Sequence, residues 1–177
     1  MARMREKVFA GFGAVLFFGS TCAFTAYVIM QGNAAPKPSA NTQQQTCVAN
    51  TTEEVLPVPD VYKPDGAVTE LQTTDLSEGT GPAAKDGDCL VMKYYGTLAA
   101  DGTKFDENFT DTTAFAFKLG QGQVIEGWDK GMVGLKVGGT RRLAIPAAMA
   151  YGSQSPSASI PANSDLVFVV KLERIQK

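Results

Sequence analysis

The stretch "LGQGQVIEGWDKGMVGL", from Leu119 to Leu135, combines several glycines with the only tryptophan of the chain. Within it, Trp128, Met132 and Leu135 recur at the spacing of one helix face. The glycines weaken such a helix, because each costs about 1 kcal/mol relative to alanine. We therefore expect a short helix that depends on its surroundings and whose glycines allow close approach to a sheet.

The same glycines raise the alternative of a phosphate-binding loop. The dinucleotide pattern G-x-G-x-x-G fits Gly120 and Gly122, but its third position holds Ile125. The P-loop pattern requires lysine and serine or threonine after its last glycine, whereas a tryptophan and an aspartate follow Gly127. Neither pattern holds, so the sequence favours the second hypothesis, in which this stretch forms the floor of an apolar pocket.

Strand signals surround this stretch. Five segments carry two-residue alternation or β-rich composition and are separated by glycine-, proline- or aspartate-rich turns. They are 68–79, "VTELQTTDLSEG"; 89–96, "CLVMKYYG"; 115–120, "FAFKLG"; 140–146, "TRRLAIP"; and 165–175, "DLVFVVKLERI". Antiparallel strands with one short helix predict an α+β fold.

Composition excludes several kinds of chemistry. The chain has no histidine among its 177 residues, so it contains no Ser-His-Asp triad, no Cys-His pair and no histidine metal ligand. The net charge is −2 and no basic stripe is present, which argues against nucleic acid as a partner. We expect no metal and no cofactor.

The N-terminal residues 1–30 predict export. Residues 8–30 carry no charge, and at about 1.5 Å per residue a helix of this length reaches roughly 35 Å, enough for a bilayer core of about 30 Å. Arg3, Arg5 and Lys7 precede it, which places the N-terminus in the cytoplasm. A transmembrane anchor is favoured for its length, and a signal peptide cleaved after Ala34 is the alternative. Both place the rest of the chain outside the cytoplasm.

Composition also divides the rest of the chain. Residues 31–65 are small, polar and rich in proline, serine, glutamine and threonine, which predicts a disordered linker. The proline-bearing end of this linker either packs loosely on the domain or merely leads into it. Residues 66–177 form the predicted folded domain, and about 110 residues suffice for one modest core.

Two cysteines, Cys47 and Cys89, lie in the part predicted to be exported. An oxidising compartment would permit a disulfide between them. Sequence alone does not bring them together, so we favour a small buried strand residue at Cys89 and a free linker thiol at Cys47.

Aromatic residues are numerous for a domain of this size. Tyr94, Phe115 and Phe168 share the inward strand phases, while Phe105 and Tyr151 lie on loops beside glycines. An ordinary core would account for any one of them. Together with Trp128 they favour a pocket, because aromatic residues on loops commonly form pocket walls.

At the level of motifs, the chain resembles the FKBP-type peptidyl-prolyl cis-trans isomerases, in a bacterial-like form that is membrane-anchored or exported. Four overlapping or successive segments carry the resemblance, in the family order, between about residues 68 and 175. They are "YYGTLAADGTKFD" (94–106), "FAFKLGQGQVIEGW" (115–128), "VIEGWDKGMVGLKVGGTRRLAIPAAMAYG" (124–152) and "SIPANSDLVFVVKL" (159–172). The resemblance implies a half-barrel, in which a curved antiparallel sheet of five or six strands wraps one short helix.

The resemblance also implies the site. The implied substrate-binding residues are Tyr94, Phe105, Phe115, Val124, Ile125, Trp128, Tyr151, Ile160 and Phe168. The implied catalytic residues are Asp106, Tyr151, Phe168 and Ile125. In this scheme the backbone N–H of Ile125 and the hydroxyl of Tyr151 hold substrate acceptors, and Asp106 supplies local electrostatics or orients Tyr94.

Two departures from the family pattern concern specificity. Asp111 occupies the position of an arginine that would pair with Asp106, so Asp106 loses that partner unless Lys104 or one of the paired arginines reaches it. The segment "GSQSPSAS" (152–159) is serine-rich and lacks the usual aromatic or histidine tip. Both changes bear on substrate preference and macrolide affinity.

Three functions are compared on these grounds. We favour a peptidyl-prolyl isomerase that speeds the folding of exported proteins, with proline-containing polypeptides as substrates, macrolides as possible inhibitors and the membrane as partner of the N-terminal helix. The alternative is a non-catalytic proline-peptide binding module or holdase that uses the same pocket. The third is an adhesion or structural domain, whose aromatic core would be closed.

Overall fold

The computed structural model describes residues 47–49 and 55–177, which lie in one unit spanning 44–177. Six strands are present: β1 (Gln72–Ser77), β2 (Cys89–Leu98), β3 (Lys104–Glu107), β4 (Phe115–Lys118), β5 (Thr140–Ile145) and β6 (Leu166–Gln176). One helix, α1 (Glu126–Gly131), and a single 3₁₀ turn (Ala147–Met149) complete the regular structure of this part. The predicted α+β fold of antiparallel strands with one short helix is confirmed.

The six strands form one antiparallel sheet in the order β1-β5-β6-β2-β3, with β4 also pairing with β2. Strand β2 pairs along one edge with two short strands. Its first half, Cys89–Met92, pairs with β4, and its second half, Tyr95–Thr97, pairs with β3. The loop between β3 and β4, residues 108–114, therefore lies beside the middle of β2.

Alternation along the strands places the core on one face of the sheet, as predicted for β2 and β6. Strand β6 has one extra residue at Glu173, because Val91 pairs with Arg174 while Met92 pairs with Leu172. This bulge shifts the alternation, so that both Leu172 and Ile175 contact the main core. The buried members of that core include Leu90, Met92, Phe117, Leu119, Met132, Leu135, Leu143, Ile145, Leu166, Phe168 and Val170.

Helix α1 packs closely on β5 because its glycines lack side chains. A Cβ atom at Gly127 would lie 2.4 Å from Cγ2 of Ile145, and one at Gly131 would lie 2.8 Å from Cδ2 of Leu143. The buried Arg141 then ties the end of the helix to the sheet, since its guanidinium donates to the carbonyl oxygen of Gly131. The helix is thus fixed by tertiary contacts, as its weak propensity requires.

Replacing Gly127 by alanine is expected to destabilise the domain by about 1–3 kcal/mol, because Ile145 is fully buried and overpacking forces neighbours out of their rotamers. Urea unfolding measures the change. Lys130→Ala is the matched control on the same helix: it removes only an exposed ion pair to Glu126 and should change stability by less than about 0.5 kcal/mol. Equal stability of the two variants would contradict the close packing.

Residues 55–65, here called the strap, contain no helix or strand but pack against the domain. Leu56 is buried with Phe109 and Val169, and its N–H donates to the carbonyl oxygen of Phe109. The ring of Tyr62 lies 3.6 Å from the guanidinium carbon of Arg142. The end of the predicted linker therefore packs on the domain rather than merely leading into it; the boundary at residue 66 stays a prediction.

The structure confirms Cys89 as a buried residue of β2, but the prediction of a free linker thiol at Cys47 was wrong. Cys47 and Cys89 form a disulfide across 42 positions of sequence. The backbone of Val48 makes two hydrogen bonds with the side chain of Gln176, the last residue of β6. Gln176 is also the residue of β6 that pairs with Cys89. These contacts bring the linker to the start of β2, and no local sequence pattern predicts a contact at this separation.

The predicted N-terminal stub and membrane segment, residues 1–30, and residues 31–46 and 50–54 of the predicted linker lie outside the described residues. Within 47–49 and 55–177, no helix has both the length and the apolar character needed to cross a membrane.

Candidate functional site

A cavity of about 450 Å³ opens between α1, the sheet and the loop that follows β5. All ten residues assigned to the site from sequence line it. They are Tyr94 on β2, Phe105 and Asp106 on β3, Phe115 on β4, Val124 and Ile125 before α1, Trp128 on α1, Tyr151 and Ile160 in the β5–β6 loop, and Phe168 on β6. The volume falls within the range of small-molecule and peptide side-chain pockets.

Trp128 packs among aromatic side chains at this cavity. Its ring is 5% exposed and makes edge contacts with Phe168, at 5.1 Å between centroids, and with Tyr94, at 5.4 Å. The indole Nε1 is buried without a hydrogen-bond partner among the described residues. The indole therefore presents an apolar, rigid surface whose position is fixed by its neighbours.

The polar group of the cavity is a tyrosine–carboxylate pair. The Tyr94 hydroxyl donates a hydrogen bond of 2.7 Å to Oδ2 of Asp106, and Oδ1 of Asp106 accepts from the N–H of Glu107. Burial raises the pKa of Tyr94 well above its ordinary value, and the hydrogen bond and charge of Asp106 raise it further. Tyr94 is therefore a neutral donor throughout the physiological range of pH.

The cations considered as partners for Asp106 are engaged elsewhere in the described part of the chain. Lys104 pairs with Glu107 at 3.6 Å, Arg141 pairs with Asp75, and Arg142 covers the ring of Tyr62. The substitution at Asp111 is thus not compensated by any of these three side chains, and the Tyr94 hydroxyl is the side-chain donor to Asp106.

The serine-rich loop builds one wall of the cavity. The hydroxyl of Ser155 donates to the carbonyl oxygens of Ser157 and, at 2.7 Å, of Ile160. Ile160 is thereby held as a buried member of the core that also lines the cavity. Tyr151 stands at the other end of this loop with 38% of its surface exposed, and partial burial followed by the charge of Asp106 raises its pKa.

Ile125 precedes α1 in an extended conformation (φ −60°, ψ 148°). Its carbonyl oxygen accepts from the N–H groups of Trp128 and Asp129. No backbone carbonyl oxygen of the described residues accepts from its own N–H. Because Ile125 lines the cavity, this N–H is available to a hydrogen-bond acceptor there.

Comparison with known proteins identifies the family. A family model described as FKBP-type peptidyl-prolyl cis-trans isomerase matches residues 81–173, the range that holds every residue lining the cavity. The chain belongs to this family. We refer to the described unit as the FKBP domain.

Individual relatives agree with this assignment. A peptidyl-prolyl cis-trans isomerase of Saccharomyces cerevisiae is 50% identical over 115 residues, which cover 64% of this chain and 27% of the yeast protein. FK506-binding protein 4 of Neurospora crassa is 48% identical over 117 residues, covering 64% of this chain and 24% of that protein. The chain thus spans about a quarter of these relatives' length, and as fungal proteins they lend no support to a bacterial-like, membrane-anchored form.

The solved structure of AtFKBP13 resembles the FKBP domain. It superposes with a TM-score of 0.54 at 32% identity, and the match covers 60% of this chain and 93% of that one. The overlap confirms the FKBP-like sheet with one short helix.

Sequence reasoning missed three residues of the FKBP domain's cavity: Gln123, Pro156 and Ser157. All three lie in turns, where no alternation marks which side chain faces inward. The side chain of Gln123 accepts from the N–H of Lys118, so it also fixes the turn that leads into α1. The proline and serine of the segment 152–159 were the available signal, since that segment departs from the family pattern.

The described residues contain no set of side chains suited to bind a metal ion. Across residues 47–49 and 55–177, no group of three or more cysteine, aspartate or glutamate side chains is placed to hold a metal ion.

Proposed function

We propose that the FKBP domain accelerates cis-trans rotation of X-Pro bonds in polypeptides. The observation that carries this proposal is the open cavity, in which an indole, a ring of aromatic side chains and the Tyr94–Asp106 pair face one volume. A closed aromatic core, as an adhesion or structural domain would have, offers no such opening.

The reaction requires no nucleophile and no proton transfer. The barrier to X-Pro rotation, about 18–20 kcal/mol, arises from amide resonance. A dry apolar cavity favours the twisted amide over the planar one, because charge separation is smaller in the twisted form. Hydrogen-bond donors that meet the substrate better in the twisted state lower the barrier further.

Each polar group has a place in this scheme. The N–H of Ile125, which donates to no backbone carbonyl of the described residues, receives a substrate carbonyl oxygen. The hydroxyl of Tyr151 reaches a second acceptor from the rim. Asp106 polarises and orients Tyr94, while Phe168 and Trp128 hold the proline ring.

A chymotrypsin-coupled assay on a prolyl tetrapeptide tests the activity. The uncatalysed reaction takes tens of seconds. The full chain should raise the isomerisation rate above this background in proportion to its concentration. Binding without acceleration would instead support the second candidate, a prolyl-peptide binding module or holdase. That candidate is favoured by one observation: Asp106 has no cation partner among Lys104, Arg141 and Arg142.

Trp128→Leu is expected to weaken binding of a prolyl peptide about tenfold, because the substitution removes the flat surface and several aromatic contacts. Isothermal titration calorimetry measures this without depending on the lost tryptophan signal. Val133→Ala, at an exposed position two residues beyond α1, is the control and should bind as the parent chain does. Unchanged affinity in Trp128→Leu would remove the indole from the site.

Macrolides form a second ligand class under this proposal. Relatives of this chain are named FK506-binding proteins, and the same aromatic cavity would hold such a macrolide in competition with prolyl peptides.

Export of the domain is also proposed. The disulfide between Cys47 and Cys89 supports it, because such bonds persist mainly in oxidising compartments. The uncharged run at 8–30 supports it independently. Mass analysis of the mature N-terminus separates a retained anchor from a cleaved leader, and alkylation of cells before lysis shows whether the two cysteines are oxidised. Reduced cysteines in the cell would contradict export.

A further inference from the structure

Lys93 is a fully buried lysine in the middle of β2, next to Tyr94. A buried ammonium group is costly unless its hydrogen bonds are satisfied. The scheme proposed above gives this residue no role, although it is the largest side chain in the described part of the chain with no exposed surface. Its contacts therefore indicate what it stabilises.

The ammonium group of Lys93 binds the β3–β4 loop, residues 108–114. Its Nζ donates to the carbonyl oxygen of Asn108 at 3.2 Å and to the carbonyl oxygen of Asp111. A charged donor strengthens such bonds. The two contacts therefore hold the loop backbone against a side chain that is fully buried.

Asn108 completes the attachment from the loop side. Its Oδ1 accepts from the backbone N–H of Tyr94 at 2.6 Å, and its Nδ2 donates to the carbonyl oxygen of Thr113 at 3.2 Å. The side chain therefore joins the start of the loop, the end of the loop and the centre of β2. A buried hydrogen-bond network of this kind favours one geometry of the loop.

Both ends of this loop lead directly into the cavity. Asp106 lies two residues before it on β3, and Phe115 follows it at the start of β4. Tyr94, whose hydroxyl binds Asp106, is held at its own backbone by Asn108. Three residues of the cavity thus depend on the same attachment.

We propose that Lys93 is a positioning residue for prolyl isomerisation, which acts through Asn108 and the β3–β4 loop to hold Tyr94, Asp106 and Phe115 in the arrangement that meets the twisted amide. The proposal rests on the isomerase function proposed above. Lys93 does not line the cavity and touches no substrate.

The full chain carrying Lys93→Met tests this inference, since methionine fills a similar volume without a donor. We expect kcat/KM to fall between about tenfold and about a hundredfold, the range for a displacement near 1 Å at a site. The matched control is Cys47→Ser/Cys89→Ser, which destabilises the domain away from the cavity. At a temperature well below both unfolding midpoints, the control should keep the parental kcat/KM.

A double-mutant cycle with Asp106→Val separates positioning from general stability. If Lys93 acts through the Tyr94–Asp106 pair, Lys93→Met should lower kcat/KM less than about threefold further once Asp106 is absent, because coupled residues are not additive. Full additivity of the two changes would overturn the proposal.

Lys93→Gln keeps a hydrogen-bond donor on a shorter side chain. It is measured beside Lys93→Met so that the test can still be made if Lys93→Met does not fold. A folded Lys93 variant with kcat/KM within about twofold of the parent would also overturn the proposal, since no loss of activity is expected if Lys93 does not position the site. Absence of catalysis in the parent chain is a different result: it would refute the isomerase function itself.

Discussion

Replacing Asp106 by valine should lower kcat/KM for a prolyl peptide about a hundredfold, the size of effect seen when one preorganised polar group is removed. Valine is similar in volume to aspartate but offers no acceptor to the Tyr94 hydroxyl, which lies 2.7 Å from Oδ2. Tyr94 would then rotate or leave its hydroxyl unpaired in a partly buried site. Protease-coupled or exchange NMR assays measure the loss.

Two further variants identify the reason for that loss. Asp106→Asn keeps an acceptor for Tyr94 but removes the charge, so it distinguishes orientation from electrostatics. Asp111→Ala removes an exposed carboxylate nearby that does not line the cavity, and it should remain within about twofold of the parent. Parental rates in Asp106→Val would refute the role given to this carboxylate.

Removing the disulfide is expected to give the largest loss of stability. Cys47→Ser/Cys89→Ser should lower the free energy of unfolding by about 4 kcal/mol, the loop-closure value for a separation of 42 residues. For a domain of this size the unfolding midpoint should fall by about 10–20 °C. Thermal unfolding followed by circular dichroism measures the shift.

The third cysteine of the chain supplies the control for this experiment. Cys22→Ser leaves the Cys47–Cys89 pair intact and should leave the unfolding midpoint of the domain unchanged. A reductant should lower the midpoint of the parent and of Cys22→Ser, but not that of the double variant. If the reductant leaves the parental midpoint unaltered, the covalent link does not contribute to stability.

The fold could be predicted from sequence because its signals are local. Alternation along 89–96 and 165–175 identified the two central strands. The spacing of Trp128, Met132 and Leu135 indicated a short helix here, but α1 ends at Gly131, so Met132 and Leu135 join the core from beyond its end. The bulge at Glu173 could not be predicted, since it arises from the pairing of two strands and leaves no mark in either one alone.

Ten of the thirteen residues that line the cavity could be named from sequence, because they sit within motifs of the family, while their roles in binding and catalysis stay predictions. The residues missed, Gln123, Pro156 and Ser157, lie in turns whose conformation depends on contacts such as the Ser155 hydroxyl bond to Ile160. The two-residue alternation along β2 indicates only that Lys93 lies on the face opposite to Met92 and Tyr94. Its complete burial follows from the β3–β4 loop folding back over it, which is a tertiary contact.

The strap and the disulfide share one cause for being unpredictable. The contacts of this segment are made by Leu56, Tyr62 and Cys47 with residues remote in sequence. A proline-rich segment has no hydrophobic periodicity from which such contacts could be predicted. Low regularity was therefore not evidence of disorder for these residues.

The covalent link also decides where a mechanical pull would enter the domain. Tension applied to any residue before Cys47 passes through the sulfur atoms to Cys89, at the start of a strand flanked by β6 on one side and by β3 and β4 on the other. The strap and the edge strand β1 lie in the segment that the disulfide bypasses, residues 48–88, and are outside the covalent path of that force. A domain held by its N-terminal end would thus not be peeled from the edge strand β1, because the force enters at β2 in the interior of the sheet.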